Sequence, residues 1–157
     1  MNEGEVYVAV SRYLRESGWI IIGGQPPAGT DHLPVIEIKD PAHLGKGSKG
    51  SFKPDLVAWD GAVLLLVELK PKFSMSDRTK LFRTLEDPRR IRALWREIGQ
   101  REIRDPEGIR ISEFGERATT WGALGFAGES GQLGGLWGIR IRVDGSVVME
   151  GRTQPIA

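Results

Sequence analysis

Apolar positions recur at helical spacing near the start of the chain and at strand spacing in its middle. Val6, Ala9, Val10, Tyr13 and Leu14 fall on one side of a helix predicted over residues 2–17, with Asn2 as N-cap and Gly18 as stop. Trp19-Ile20-Ile21-Ile22 reads as a short buried strand closed by Gly23-Gly24, and residues 25–32 read as a loop. Val35-Ile36-Glu37-Ile38-Lys39 alternates weakly and suggests a further strand, followed by a polar, Gly/Lys-rich loop over residues 40–51. Ser74 or Ser76 can cap a helix running through Leu85. Asp87-Pro88 supplies the cap and first position of another, with Ile91, Leu94, Trp95 and Ile98 as its apolar stripe and Gly99 as its stop. Ile109-Arg110-Ile111 looks like a strand. Residues 115–138 are dense in glycine without dinucleotide or P-loop spacing, and read as loops and irregular strands. A hairpin about Asp144-Gly145 closes the pattern.

The strongest local signal lies between these parts. Leu56-Val57-Ala58-Trp59 and Ala62-Val63-Leu64-Leu65-Leu66-Val67 flank Asp60-Gly61, the mark of a β-hairpin with a two-residue type I′ turn. That turn sets Trp59 against Ala62 and Asp55 against Leu66. Side chains alternate along a strand, so Glu68 and Lys70 share the face of Leu66 and hence of Asp55. Asp55 and Glu68 then become diagonal neighbours, with backbones roughly 7–8 Å apart. A slip of one residue would send Asp55 to the other face. Both hairpin faces are apolar, Val57, Leu64 and Leu66 on one and Leu56, Val63, Leu65 and Val67 on the other. The pair is therefore expected at the doubly covered centre of a sheet. Helix, strands, helices and strands in succession make the fold class α/β, a sandwich built on a mixed sheet.

Composition narrows the field. At 157 residues, 39% hydrophobic and 27% charged, the chain suits one globular domain over residues 1–157. It has no cysteine, which excludes disulfides and thiolate metal sites; with no Gly-x-Ser-x-Gly elbow either, the common covalent hydrolases drop out. No basic-then-apolar leader opens the sequence and no apolar run approaches the ~20 residues of a membrane span, so a cytoplasmic location without membrane contact is expected. Net charge is only +1, yet residues 70–110 hold 12 of the 22 Lys/Arg and 7 of the 21 Asp/Glu. A local basic excess of this kind suits a phosphate backbone; a solvated helix with mixed charges is the plainer reading.

Two carboxylates and a lysine are the smallest set that can hold a hard divalent cation beside a scissile phosphate, since Mg²⁺ takes one or two carboxylates and fills its shell with waters and phosphate oxygens. Written Pro54-Asp55…Glu68-Leu69-Lys70, the pattern resembles the PD-(D/E)xK nuclease superfamily. Its layout is similar to small archaeal Holliday junction resolvases and to the virus-type replication–repair (VRR-NUC) module. These open with a glutamate-bearing helix, here Glu5-Val6-Tyr7, then a strand, a basic Gly-rich approach (residues 45–50) and the motif hairpin. Ser74-Met75-Ser76-Asp77-Arg78 stands where the replication–repair type carries a glutamine.

The resemblance implies a restriction-endonuclease-like sandwich and a divalent-metal-dependent DNA endonuclease. Asp55, Glu68 and the Leu69 carbonyl would hold Mg²⁺ or Mn²⁺. Lys70 would assist the attacking water, its pKa lowered by desolvation, and Glu5 would hold a second ion or an ordered water. Lys46, Lys49, Lys53, Lys72, Arg78 and Lys80 flank the motif and are the expected contacts to DNA, double-stranded or branched. Symmetric cleavage would call for a homodimer, for which Trp121, Phe126, Leu133, Leu136 and Trp137 offer an apolar patch, unless they pack in their own core.

Plainer roles exist for each residue. Asp55 can serve a turn, Glu68 and Lys70 can form an internal ion pair, and Glu5 stands where a capping box with Asn2 would place it. Glu37-Ile38-Lys39 repeats the Glu-x-Lys pattern with no room for a matching hairpin, and His32 and His43 have no partners at metal-ligand spacing. A non-catalytic nucleic-acid-binding module and a structural protein with a static ion-pair cluster remain the two alternatives.

Overall fold

The computed structural model describes residues 1–27, 31–42, 50–115 and 117–151. Helix α1 spans Glu3–Glu16 and strand β1 Ile20–Gly24; strands β2 and β3, Leu56–Trp59 and Val63–Leu69, form the motif hairpin. Helices α2 (Met75–Leu85) and α3 (Pro88–Gln100) follow, then a single 3₁₀ turn at Ile111–Phe114. Strands β4 (Thr119–Ala127), β5 (Trp137–Ile141) and β6 (Val147–Glu150) complete the chain. The six strands form one mixed sheet in chain order: β3 runs parallel to β4 and β4 to β5, and the other three pairings are antiparallel.

The two apolar faces of the hairpin each meet a layer of their own. Val57, Trp59, Leu64 and Leu66 pack with Leu81 and Leu85 of α2 and Leu94 and Ile98 of α3; Ile36, Ile38 and Phe52 extend that cluster. Leu56, Ala58, Leu65 and Val67 pack with Val6, Tyr7, Val10 and Leu14 of α1. Helices thus cover both sides of β3, whose Leu64, Leu65, Leu66 and Val67 are fully buried. Each such side chain contributes roughly 1.5–3 kcal/mol of burial.

Several elements differ from the sequence expectation. The turn at Asp60 is two residues longer: Trp59 faces Leu64, not Ala62. Asp60 is the cause, because its carboxylate accepts the N–H groups of Ala62 (2.9 Å) and Val63 (2.7 Å) and holds residues 60–63 between the paired Trp59 and Leu64. The stretch 35–39 makes one bridge, Ile38 to Phe52, and 109–111 another, Arg104 to Arg110, in place of strands. The glycine-dense region contains the nine-residue strand β4, central in the sheet. Its Gly122 and Gly125 leave room for packing: a Cβ at 125 would stand 2.5 Å from Leu69 and 3.1 Å from Val10. From β4 the chain returns to the parallel β5 through residues 128–136 without a helix, turning at Gly134 (φ +64°) and Gly135 (φ +99°).

The apolar residues offered above for a second subunit are used within the chain. Phe126, Leu136 and Trp137 are buried, Trp137 edge-on to both Trp19 (5.9 Å) and Trp121 (4.0 Å), and Leu133 packs on the cluster beneath α2. Among the described residues no helix is long and apolar enough to cross a membrane.

Candidate active site at the end of the central strand

The longer turn alters the register by two residues, an even number, so the faces predicted for the hairpin are kept. Continued one step past Leu56↔Val67, the ladder brings Asp55 level with Glu68, closer than the diagonal expected. Three backbone contacts fix this end of the sheet. Gln25 donates its N–H to the Asp55 carbonyl (2.9 Å), Leu69 donates to the Asp55 carboxylate (2.8 Å), and Lys70 donates to the Gly125 carbonyl (3.0 Å). Strands β1, β2, β3 and β4 all bear on a few residues here.

Glu68 is 5% exposed and its carboxyl group lies within hydrogen-bonding reach of Asp55. Burial first, then the hydrogen bond and charge of Asp55, push its pKa well above the usual carboxylate range; Lys80 opposes the shift and Asp77 adds to it. Two carboxylates in contact inside a protein need a positive charge between them, a proton or a cation.

The two lysines divide differently from the sequence expectation. Lys70 does not pair with Glu68; its ammonium group meets Glu3 of α1 at 3.0 Å. That bond above all holds the Lys70 pKa above its ordinary value, in place of the lowering expected from desolvation. Lys80 of α2 is the lysine on Glu68, at 3.6 Å, and stands equally far from Asp77. Glu5 faces away: its carboxylate accepts the Asn2 N–H while Asn2 accepts the Glu5 N–H, a closed capping box. Glu3 was not legible as a site residue, since only the docking of α1 brings it to Lys70. Asp77 was also missed. It follows the helix cap Ser74 by three positions and reads as part of the cap, yet it is buried, and one carboxylate oxygen has no hydrogen-bond partner.

The expected DNA contacts differ in where they stand. Lys72 is exposed and Lys53 half-buried. Arg78 is set back, with its guanidinium over the Phe82 ring (5.5 Å) and against Gly134. Lys46, Lys49 and His43 lie outside the described residues. The basic stretch occupies α2 and α3, where Arg89, Arg92 and Arg96 point outward from α3.

A cleft of about 50 Å³ opens beside Asp55, lined also by Glu3, Tyr7, Gln25, Pro27 and Leu69. Tyr7 donates its hydroxyl to Asp31 (3.1 Å), which Arg15 also holds (2.9 Å). A larger hollow of about 520 Å³ between Ile91, Trp95 and Ala118 lies at the other end of β4 and has no carboxylate pair. The oxygen donors able to share a cation are Asp55 and Glu68 with neighbouring backbone; among the described residues no three acidic or histidine side chains converge as a metal cluster. Comparison with protein-family models, with curated proteins and with solved structures gave no match.

Proposed function

We propose that this chain is a divalent-metal-dependent DNA endonuclease of the PD-(D/E)xK type, on a restriction-endonuclease-like sandwich. The observation that carries the reading is the contact between Asp55 and buried Glu68 at the end of the central strand, with a lysine on each side. A static ion-pair cluster would match each carboxylate with a cation. Here two carboxylates share one space, and Lys80 is 3.6 Å from the nearer oxygen.

The donor set fits a hard divalent cation. Both side-chain donors are oxygens on a rigid strand pair, and two carboxylates leave the remaining positions to waters and phosphate, as Mg²⁺ and Mn²⁺ require. The chemistry such an ion supplies is Lewis-acid stabilisation of charge on the phosphoryl oxygens. Asp55 and Glu68 hold the ion, with the Leu69 carbonyl at hand. Lys70 orients the water and neutralises charge at the phosphate, and Glu3 fixes where its ammonium group rests. Glu5 serves α1 as a cap. Lys53 and Lys72 supply a basic approach for the DNA backbone.

The test is incubation with supercoiled, linear, single-stranded and four-way-junction DNA, with Mg²⁺, Mn²⁺ or EDTA. Cleavage requiring metal, lost in Asp55→Ala and Glu68→Ala together with Mn²⁺ binding by calorimetry, is the expected result. Lys70→Ala should keep metal binding and cut orders of magnitude more slowly, because its contribution belongs to the transition state. Metal binding without turnover on any substrate would leave a binding module; equal Mn²⁺ affinity in wild type and both carboxylate variants would refute the site.

A further inference from the structure

Among the described residues Lys80 is the cation in contact with the buried carboxylates of Glu68 and Asp77, and its placement is built. Its ammonium group stands 3.6 Å from Glu68, 3.6 Å from Asp77 and 5.5 Å from the centre of the buried Phe52 ring. Its side chain nevertheless keeps 55% of its exposure, so it can turn outward without leaving the helix. Asp77 explains why it points inward. At the third position of α2, an acidic residue ordinarily faces solvent or closes a capping box. Asp77 does neither: its side chain is 4% exposed, one oxygen faces Lys80 and the other has no partner. A buried carboxylate left half-satisfied costs stability unless its charge is used.

Resting on the nuclease reading above, we propose that Lys80 is a second lysine of the reaction centre, positioned by Asp77. It is the internal counter-ion of Asp55 and Glu68 when no divalent cation is bound, and it turns to the scissile phosphate when one is. Cation and lysine compete for the same carboxylate charge, so loading the site frees the lysine as it is needed. Lys70 rests on Glu3 at 3.0 Å and is not the counter-ion of Glu68, so the two lysines have separate parts.

The experiment pairs Mn²⁺ calorimetry with DNA cleavage for wild type, Lys80→Met, Lys80→Arg, Asp77→Asn and the Asp77→Asn/Lys80→Met double variant. Removing the competing charge should tighten Mn²⁺ binding about three- to fivefold, the weight of a partly exposed ion pair, while cleavage slows about a hundredfold. Lys80→Arg keeps the charge and should keep wild-type Mn²⁺ affinity. Asp77→Asn should slow cleavage about tenfold alone and add nothing in the Lys80→Met background, a coupling that a merely structural aspartate would not give. Lys80→Gln, which removes the charge but keeps a polar end on a shorter stem, serves the same comparison should Lys80→Met fold poorly. Unchanged Mn²⁺ affinity and cleavage in the Lys80 variants would overturn the proposal and leave the metal site standing. Absence of Mn²⁺ binding by wild type would instead remove the nuclease reading, and this proposal with it.

Discussion

Replacing Glu68 by glutamine should make the metal-free protein less sensitive to pH. Glu68 is buried beside Asp55, and both circumstances favour its protonated form. The unfolded chain loses that proton near 4.5, the ordinary value; the folded protein holds it to higher pH. Between the two, the folded state carries one proton more than the unfolded state, so stability falls as pH rises, by about 1.4 kcal/mol per unit. The contribution is fully present below the unfolded pKa and lost on the way up to the folded one. From pH 5.5 to 7.5 wild type should lose up to about 3 kcal/mol more than Glu68→Gln, or roughly 6–12 °C in melting temperature for a chain of this size. The assay is thermal melting of both proteins in EDTA at several pH values, read as the difference between the two curves so that other groups cancel. Adding Mn²⁺ should reverse the order at pH 7.5, since wild type alone has both carboxylates to offer. Parallel pH profiles for the two proteins in EDTA would mean that Glu68 ionises as an exposed glutamate does, and would refute the argument from burial and pairing.

Gly125→Ala should lower stability by about 1–3 kcal/mol in urea unfolding, because its new methyl group meets Leu69 and Val10 in a fully packed layer. An unchanged midpoint would show that this layer yields more easily than its contacts imply. Lys72→Ala should weaken duplex binding and lower the slope of log affinity against log salt by about 0.9; an unchanged slope would remove Lys72 from the DNA contacts.

Much of the architecture was legible because alternation decides faces. Leu56, Leu65 and Val67 were assigned to one side of the hairpin and Val57, Leu64 and Leu66 to the other, and these are the sides on which α1 and the α2–α3 pair lie. The register was misread by two because a side chain, that of Asp60, set the turn, and side-chain capping competes with the two-residue geometry that Asp-Gly favours alone. Strand β4 was legible only as part of a run of loops and irregular strands because glycine weakens strand propensity; its glycines answer to close packing against Leu69, Val10, Leu85 and Leu136. The apolar set Ala123, Leu124 and Phe126 was the available signal. Asp55 and Glu68 could be brought together on paper because both stand on one hairpin. Glu3, Asp77 and the inward Lys80 depend on how two helices dock, which no local pattern contains.

The outermost strand has a different standing. β3 is hydrogen-bonded on both edges and covered on both faces, while β6 has a single neighbour and four half-buried side chains. It follows β5, which joins the rest of the chain through a crossover that contains no helix. In native-state hydrogen exchange, amides of β6 should therefore trade their protons through local opening, while those of β3 wait for the whole molecule to unfold. The carboxylate pair thus belongs to the slowest-opening part of the protein, and the far edge can fray repeatedly without disturbing it.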